Sequence, residues 1–300
     1  MNEYWKVTEW PTLEITTSIP KMGCIVDCVF CPQRVLQKVW NAEKFTTEKE
    51  RYMSLKDFKM VIDKLPKEIR ITFSGFTEPW LNKKCTDMLL YAHEQGHRVS
   101  VFTTAVGMTL KDVERIKDVP FVGGPNGGFT LHLPDLERLA KHPVTKTLIN
   151  VYNALKVADV SNFTTMSMGT VHEEVEHIYP DRTVNKYKMW HRAGNLLGEA
   201  TLKPEVREVW DRFHSILHET EKTCGCVEDL YHNILLPNGE VSLCCMDYNL
   251  EEILGNLYTE EYDDILPPPN TTYDMCMRCE NGIDPMPDSP YEIYLQTKET

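Results

Sequence analysis

The chain has 300 residues, of which 42% are hydrophobic and 26% are charged, a composition typical of a globular protein with a sizeable core. At this length we expect one large domain with an appendage, or two modest domains, and a small disulfide-stapled scaffold is excluded. The formal net charge of -13 argues against nucleic acid as the main partner, while leaving room for a local basic groove.

The N-terminal segment has no basic region followed by an apolar run, and the chain contains no stretch of about eighteen apolar residues. We therefore expect a soluble, cytoplasmic protein with no membrane partner. Ten cysteines in such a protein predict reduced thiols with a metal or redox role, because disulfides rarely persist in the cytosol.

Five segments rich in β-branched or alternating residues predict strands, and the stretches between them have helical spacing. The predicted strands are Leu13–Ile19, Ile69–Phe73, His97–Thr104, Gly128–Leu133 and Phe163–Met168. The clearest predicted helices are Ser54–Leu65 and Lys83–Gln95. Strands that alternate with helices indicate an α/β fold with a mainly parallel sheet, a full or partial barrel, which binds ligands at the carboxyl ends of its strands.

The pattern changes after Lys203 and predicts a second, smaller unit. Pro204–Thr220 is expected to be a long helix, and Asn233–Cys245 a hairpin that turns at Asn238-Gly239. The proline-rich run Asn281–Pro290 predicts an extended tail. We place the domains at residues 1–222 and 223–300.

Three cysteines, Cys24, Cys28 and Cys31, follow the first predicted strand within eight residues. A short loop of this kind can bind three corners of a 4Fe–4S cluster and leave the fourth iron without a protein ligand. Such an open iron can bind the amino and carboxylate groups of S-adenosylmethionine. The alternatives are a zinc site with a distant fourth ligand and a set of buried thiols.

This spacing resembles the motif of the radical S-adenosylmethionine superfamily, Cys-x3-Cys-x2-Cys with an aromatic residue before the last cysteine, here Phe30. The resemblance covers nearly the whole chain and implies a partial (β/α)6 TIM-like barrel and an enzyme that forms a 5′-deoxyadenosyl radical. Residues 73–79 are similar to the family's Gly-Gly-Glu-type turn, although Gly75-Phe76 replaces the paired glycines. By this resemblance the cofactor-binding residues are Phe30, Gly75, Glu78, Thr103, Thr104 and His132.

Some of these residues also have structural interpretations. Glu78 alone would be a solvated or helix-capping acid, and His132 would be a core histidine. Cys85 lies on a predicted helix, where we expect a core thiol.

A second group of cysteines lies near the C-terminus, with Cys226 and Cys244 on the predicted hairpin unit and Cys276 and Cys279 in a Cys-x2-Cys pair. Four thiolates saturate either a tetrahedral zinc ion or a 4Fe–4S cluster. The spacing, including Gly239, is similar to that of the Twitch domain, a shortened relative of the SPASM domain. The resemblance implies one auxiliary cluster, and therefore two 4Fe–4S clusters together with S-adenosylmethionine. Cys224 and Cys245 are spare thiols, and either could replace its neighbouring ligand.

A saturated auxiliary cluster cannot bind substrate, so its expected role is to accept an electron from it. The chain resembles the Twitch-containing dehydrogenase of aminocyclitol antibiotic biosynthesis. This implies a two-electron dehydrogenation of a small polar substrate, sugar-like or aminocyclitol-like, with a reductant such as flavodoxin or ferredoxin as partner. Arg192, in a stretch that resembles the family's Arg-x-Gly segment, is expected to orient substrate or else to form a salt bridge.

Three other functions stay open. One is the crosslinking or epimerisation of a ribosomal peptide, although the twenty-three residues before Cys24 are too few for a peptide-recognition domain. Another is epimerisation or decarboxylation of a small molecule. The third is a non-enzymatic iron–sulfur or zinc protein, which would not need an open iron beside the Gly75–Glu78 turn.

Overall fold

The structure is a computed structural model that describes residues 6, 11–42, 48–123, 127–180, 183–184, 192–196, 231–268, 273–277 and 279. The strands are β1 (Thr12–Ile15), β2 (Arg70–Phe73), β3 (Val99–Thr103), β4 (Phe129–His132), β5 (Phe163–Ser167), β6 (Thr183–Val184), β7 (His232–Leu235), β8 (Glu240–Ser242) and β9 (Ile253–Asn256). The helices are α1 (Gln33–Ala42), α2 (Leu55–Lys64), α3 (Cys85–Glu94), α4 (Leu110–Ile116), α5 (Lys146–Ala158), α6 (Glu173–Glu176), α7 (Tyr262–Ile265) and α8 (Asp274–Met277). Short 3₁₀ turns cover Glu48–Arg51 and Pro79–Leu81.

The described strands form one sheet in the order β6-β5-β4-β3-β2-β1-β7-β8-β9. Strands β1 to β7 pair with one another in parallel, whereas β8 and β9 are antiparallel to their neighbours. Parallel neighbours need a crossover, and α2, α3, α4 and α5 lie between successive strands in the chain. The predicted α/β class and partial TIM-like barrel with an additional C-terminal hairpin are confirmed.

One hydrophobic core joins the sheet to its helices. Alternate strand side chains such as Leu13 and Ile71 are fully buried together with Phe58 of α2 and Leu89 of α3. Helix α2 begins where the sequence predicts, because the Ser54 hydroxyl oxygen accepts a hydrogen bond from the Asp57 backbone N–H at 3.1 Å. The strand side chains that alternate with Leu13 and Ile71 point to the other face of the sheet, where they can form a site.

The first strand is shorter than its sequence predicts, because β1 ends at Ile15 rather than Ile19. Beyond Ile15 the chain binds the segment that follows β2 instead of continuing in the sheet. The Thr16 hydroxyl accepts from the Phe76 N–H at 3.0 Å, and the Thr17 hydroxyl donates to the Pro79 carbonyl at 2.7 Å. These bonds fix the residues after β2 beside the loop that carries the first cysteines.

The predicted C-terminal hairpin is confirmed, with β7 and β8 joined at Asn238-Gly239. Gly239 has φ +89°, and a Cβ atom there would lie 2.5 Å from the Tyr258 ring, so the turn requires glycine. Strand β7 pairs with β1, so the hairpin extends the barrel sheet. The predicted boundary at residues 222 and 223, the helix Pro204–Thr220 and the tail Asn281–Pro290 lie outside the described residues.

Within the ranges that the structure describes, no helix combines the length and the apolar character that crossing a bilayer requires.

Candidate functional site

A cavity of about 830 Å³ lies at the carboxyl ends of β1 to β5. Its volume falls in the range of small-molecule sites. The sequence-predicted residues that line it are Cys24, Cys28, Phe30, Cys31, Gly75, Glu78, Thr103, Thr104, His132 and Arg192. The fold thus brings together side chains from five separate parts of the chain.

The three N-terminal cysteines lie on the loop between β1 and α1, and each is half-buried. Gln33, at the start of α1, holds the two ends of this loop. Its Oε1 atom accepts from the Cys24 N–H at 3.1 Å, and its Nε2 group donates to Cys31 Sγ at 3.3 Å. Gln33 is 2% exposed, so its side-chain amide is buried where it makes these bonds. Sequence reasoning missed Gln33, because a glutamine after a Cys-Pro pair has no distinctive signal.

The thiols of this loop are costly to ionise in the protein alone. Burial raises the pKa of Cys24 to about 12, and burial together with the neighbouring Cys31 and Cys24 raises the pKa of Cys28 well above its usual value. A positively charged metal group reverses this balance, because it binds the thiolate form. The three thiols therefore fit a metal cluster chemically.

No three His, Cys, Asp or Glu side chains in the described ranges come close enough to hold a single metal ion. A 4Fe–4S cluster does not require such closeness, since each thiolate binds a different iron.

The turn after β2 places a carboxylate in the cavity. Gly75 has φ +73°, and a Cβ atom would lie 2.2 Å from Thr16 Oγ1, so only glycine allows this approach. Glu78 is 5% exposed, and its carboxylate accepts hydrogen bonds from the Thr103 hydroxyl and from the N–H and hydroxyl of Thr104. Burial raises the pKa of Glu78, although these bonds oppose the shift. In the structure Thr103 and Thr104 thus orient Glu78.

His132, at the end of β4, lies in an aromatic wall of the cavity. Its ring centroid is 5.7 Å from that of Phe30 and 5.4 Å from that of His142. Burial lowers the pKa of His132 to about 4, so the ring is neutral at pH 7. Its Nε2 atom is buried and has no hydrogen-bond partner among the residues that the structure describes. Because an unpaired buried polar atom is costly, a ligand in the cavity would provide the missing partner.

Arg192 reaches the cavity from a left-handed backbone conformation, with φ +53°. Its Nη1 group donates to Met246 Sδ at 3.6 Å, and Asn195 Nδ2 donates to the Met246 carbonyl at 3.1 Å. The segment 192–196 is thereby tied to the turn after β8. Its predicted role in orienting substrate stays a prediction.

The C-terminal cysteines have different surroundings. Cys244, Cys276 and Cys279 are 8%, 7% and 9% exposed and belong to the main hydrophobic core. Cys245, the next residue along the chain, is half-buried and lines the cavity. Cys226, the predicted fourth ligand, and the spare thiol Cys224 lie outside the described residues.

A histidine–carboxylate pair that the sequence analysis did not find lies in the same cavity. His232 Nε2 on β7 is 2.6 Å from Glu14 Oε1 on β1. The Glu14 Oε2 atom accepts from the Ser74 hydroxyl at 2.6 Å and from the Gly75 N–H at 2.9 Å. Burial alone would raise the pKa of Glu14, but the charge that His232 carries when protonated, together with these hydrogen bonds, holds it below its usual value. The one available signal was an acidic residue in the middle of a buried strand.

The inner face of the sheet is polar where barrels of this class usually carry bulky aliphatic side chains. Thr72 Oγ1 lies 2.7 Å from Ser100 Oγ, and Thr130 Oγ1 lies 3.0 Å from Thr164 Oγ1. Of these, Thr72, Thr130 and Thr164 line the cavity. This surface offers hydroxyl donors and acceptors to a ligand.

Solved structures share this architecture. A structure of BtrN in complex with AdoMet and 2-DOIA has a TM-score of 0.52 and 17% identity, covering 86% of this chain and 82% of that chain. Native anSMEcpe with bound AdoMet and Kp18Cys peptide has a TM-score of 0.53 and 11% identity, covering 96% and 95%. Native anSMEcpe with bound AdoMet has a TM-score of 0.52 and 12% identity, covering 96% and 94%. At these identities the likeness shows the fold.

A comparison with curated proteins finds no match. Two family models do match the sequence. The iron–sulfur cluster-binding SPASM domain matches residues 224–281. The Radical SAM superfamily model matches residues 18–180, more than half of the chain and the part that contains the Cys24–Cys31 loop and the Gly75–Glu78 turn. The chain therefore belongs to the radical SAM superfamily, whose cofactors are S-adenosylmethionine and a 4Fe–4S cluster, and it carries a C-terminal domain for auxiliary iron–sulfur binding.

Proposed function

We propose that this enzyme dehydrogenates a small hydroxylated substrate, sugar-like or aminocyclitol-like, by a two-electron oxidation. The observation that carries the proposal is the polar inner face of the cavity, which Thr72, Thr130 and Thr164 line together with the Glu14–His232 pair. A hydroxylated molecule can hydrogen-bond to the remaining donors and acceptors of these groups, whereas an apolar ligand would displace water from them and replace none of its hydrogen bonds.

The residues divide into three sets. The ligands of the radical 4Fe–4S cluster are Cys24, Cys28 and Cys31. The S-adenosylmethionine pocket is formed by Phe30, Gly75, Glu78 and His132, with Thr103 and Thr104 orienting the Glu78 carboxylate. The auxiliary cluster is held by Cys226, Cys244, Cys276 and Cys279. When bound, these groups supply a 5′-deoxyadenosyl radical that removes a hydrogen atom from carbon, and a nearby electron acceptor.

The chain itself provides the proton acceptor. Oxidation of an alcohol to a ketone removes a hydrogen atom from carbon and then one electron and one proton. We assign the proton to the His232 ring in its neutral form, which Glu14 orients through the 2.6 Å contact at Nε2. The lowered pKa of Glu14 keeps its carboxylate ionised, so it stabilises the protonated imidazole.

Two further features orient the substrate. Ser74 donates to Glu14 and lines the cavity, so its oxygen can accept a hydrogen bond from a substrate hydroxyl. Arg192 lies on the C-terminal side of the cavity, where its planar group of donors can bind a substrate oxygen.

The test is anaerobic reconstitution with iron and sulfide, followed by incubation with S-adenosylmethionine, a reductant such as flavodoxin, and a panel of aminocyclitols, amino sugars and neutral sugars. The proposal expects a product that has lost two hydrogen atoms, formed in equal amount to 5′-deoxyadenosine. Cleavage of S-adenosylmethionine with no oxidised product from any compound of the panel would contradict the substrate class.

One observation favours epimerisation as a second candidate. Cys245 places a thiol in the cavity beside the predicted ligand Cys244. A thiol can return a hydrogen atom to a substrate radical, which inverts the carbon without net oxidation of the substrate; one electron from the reductant and one proton then restore the thiol from its thiyl radical. In deuterated water this reaction gives a product of the same composition with one deuterium on carbon, and Cys245→Ser abolishes it.

A further inference from the structure

Tyr248 lies in the turn after β8, four residues beyond Cys244. This turn is held by the Asp247 carboxylate, which accepts from the Ser242 hydroxyl at 3.1 Å and from the N–H groups of Glu251 and Glu252 at 2.8 and 3.0 Å. These hydrogen bonds fix the conformation of the turn and therefore the backbone position of Tyr248.

The Tyr248 side chain points from this turn to the N-terminal cysteine loop. Its ring is buried, lies 4.6 Å from the Phe76 ring, and belongs to a second hydrophobic cluster that includes Leu36 of α1 and Ile234 of β7. Its hydroxyl oxygen is 3.3 Å from Cys31 Sγ. Because this packing fixes the ring, it also holds the Tyr248 hydroxyl within hydrogen-bond distance of Cys31 Sγ.

The direction of this hydrogen bond follows from the state of the sulfur. A cysteine that binds iron is a thiolate and has no proton to donate, so the Tyr248 hydroxyl becomes the donor. The Gln33 amide already donates to the same sulfur at 3.3 Å. Cys31 Sγ thus faces a donor from the barrel and a donor from the C-terminal hairpin unit.

Hydrogen bonds to the sulfur atoms of an iron–sulfur cluster stabilise its more negative, reduced state and raise its reduction potential. We propose that Tyr248 is a positioning residue by which the turn that carries Cys244 raises the reduction potential of the radical cluster through Cys31. The inference rests on Cys31 being a cluster ligand, and is independent of the substrate and of dehydrogenation.

The test is a redox titration of the reconstituted full-length protein followed by electron paramagnetic resonance. The radical cluster is identified as the signal that changes when S-adenosylmethionine is added. In Tyr248→Phe, which keeps the ring packing and removes only the hydroxyl, the midpoint potential of this signal shifts to a more negative value. The midpoint of the auxiliary signal and the iron content stay at their wild-type values.

Tyr231→Phe is the matched control, because Tyr231 is equally buried and its hydroxyl donates to the Pro267 carbonyl at 3.2 Å. Its radical-cluster midpoint is expected to equal that of the wild type. An unchanged midpoint in Tyr248→Phe, or an equal shift in both variants, overturns the inference alone. If the wild type gives no signal that responds to S-adenosylmethionine, the assignment of the three cysteines fails and the inference fails with it.

Discussion

Cys24, Cys28 and Cys31 are half-buried on the wall of a cavity, whereas Cys244, Cys276 and Cys279 are buried in the hydrophobic core. The first group is open to molecules that enter the cavity. Cys244, Cys276 and Cys279 do not line the cavity, although Cys245, the neighbour of Cys244, does. This difference is what the proposed function requires, in which the first group binds a cluster that contacts a ligand and the second exchanges electrons out of contact with it.

The strongest test of this comparison removes the first group. The triple variant Cys24→Ala, Cys28→Ala and Cys31→Ala should lose about half of its roughly eight irons and all cleavage of S-adenosylmethionine, because no open iron can form. Iron analysis and chromatography of 5′-deoxyadenosine measure both effects. The buried thiol variant Cys85→Ala serves as control and should keep iron and cleavage. Cleavage retained in the triple variant would refute the assignment.

Removing the second group separates binding from electron transfer. The double variant Cys276→Ala and Cys279→Ala should still release 5′-deoxyadenosine but form no oxidised product, because the substrate radical lacks its electron acceptor. Product and 5′-deoxyadenosine are measured in the same reaction. If the folded variant keeps the wild-type ratio of the two, the second site is structural and the dehydrogenase proposal is lost.

The variant Glu14→Gln tests whether the Glu14–His232 pair in the cavity takes part in product formation. Product formation should fall by up to about 100-fold, because the proposed base His232 loses the carboxylate that orients it and stabilises its protonated form, while cleavage of S-adenosylmethionine persists. Glu240→Gln on β8 is the control and should leave both rates unchanged. A pH profile of product formation that is the same in Glu14→Gln and wild type would show that the pair is structural.

Glu14→Gln should also change how the free energy of unfolding depends on pH. Because the pKa of Glu14 is lowered in the folded protein, its ionisation stabilises the fold above its ordinary pKa of 4.5 and this contribution is lost as the pH falls below that value. Urea unfolding between pH 3 and pH 7 should therefore give a flatter stability curve for Glu14→Gln in this window.

The smallest expected effect is that of Arg192→Lys. The change keeps the charge but removes the planar group of donors, so turnover should fall about tenfold, equivalent to one charge-assisted hydrogen bond, while uncoupled cleavage persists. Arg115→Lys, at a half-exposed ion pair with Asp87 on α3, is the control. Unchanged product formation in Arg192→Lys would assign Arg192 a structural role.

Local sequence pattern alone determined much of the secondary structure and the first cysteine motif of this protein. The alternation in β2 to β5, the Ser54 cap of α2 and the Asn238-Gly239 turn could be predicted because each depends on residues that are neighbours in sequence. The Cys24–Cys31 spacing is equally local, and it led to the family that the comparison confirms. The end of β1 could not be predicted from local pattern, since contacts with the segment after β2 decide where this strand stops.

Only the tertiary structure decided which ordinary residues belong to the site. Glu14 and His232 meet because β1 and β7 pair across more than two hundred residues, and Cys31 and Tyr248 meet across 217 residues. Glutamate, histidine and tyrosine are common residues with no motif at these positions, so their roles depend on the packing that brings them together. The separation of Cys244 from Cys245 has the same origin, because the turn after β8 places one thiol in the core and the other in the cavity.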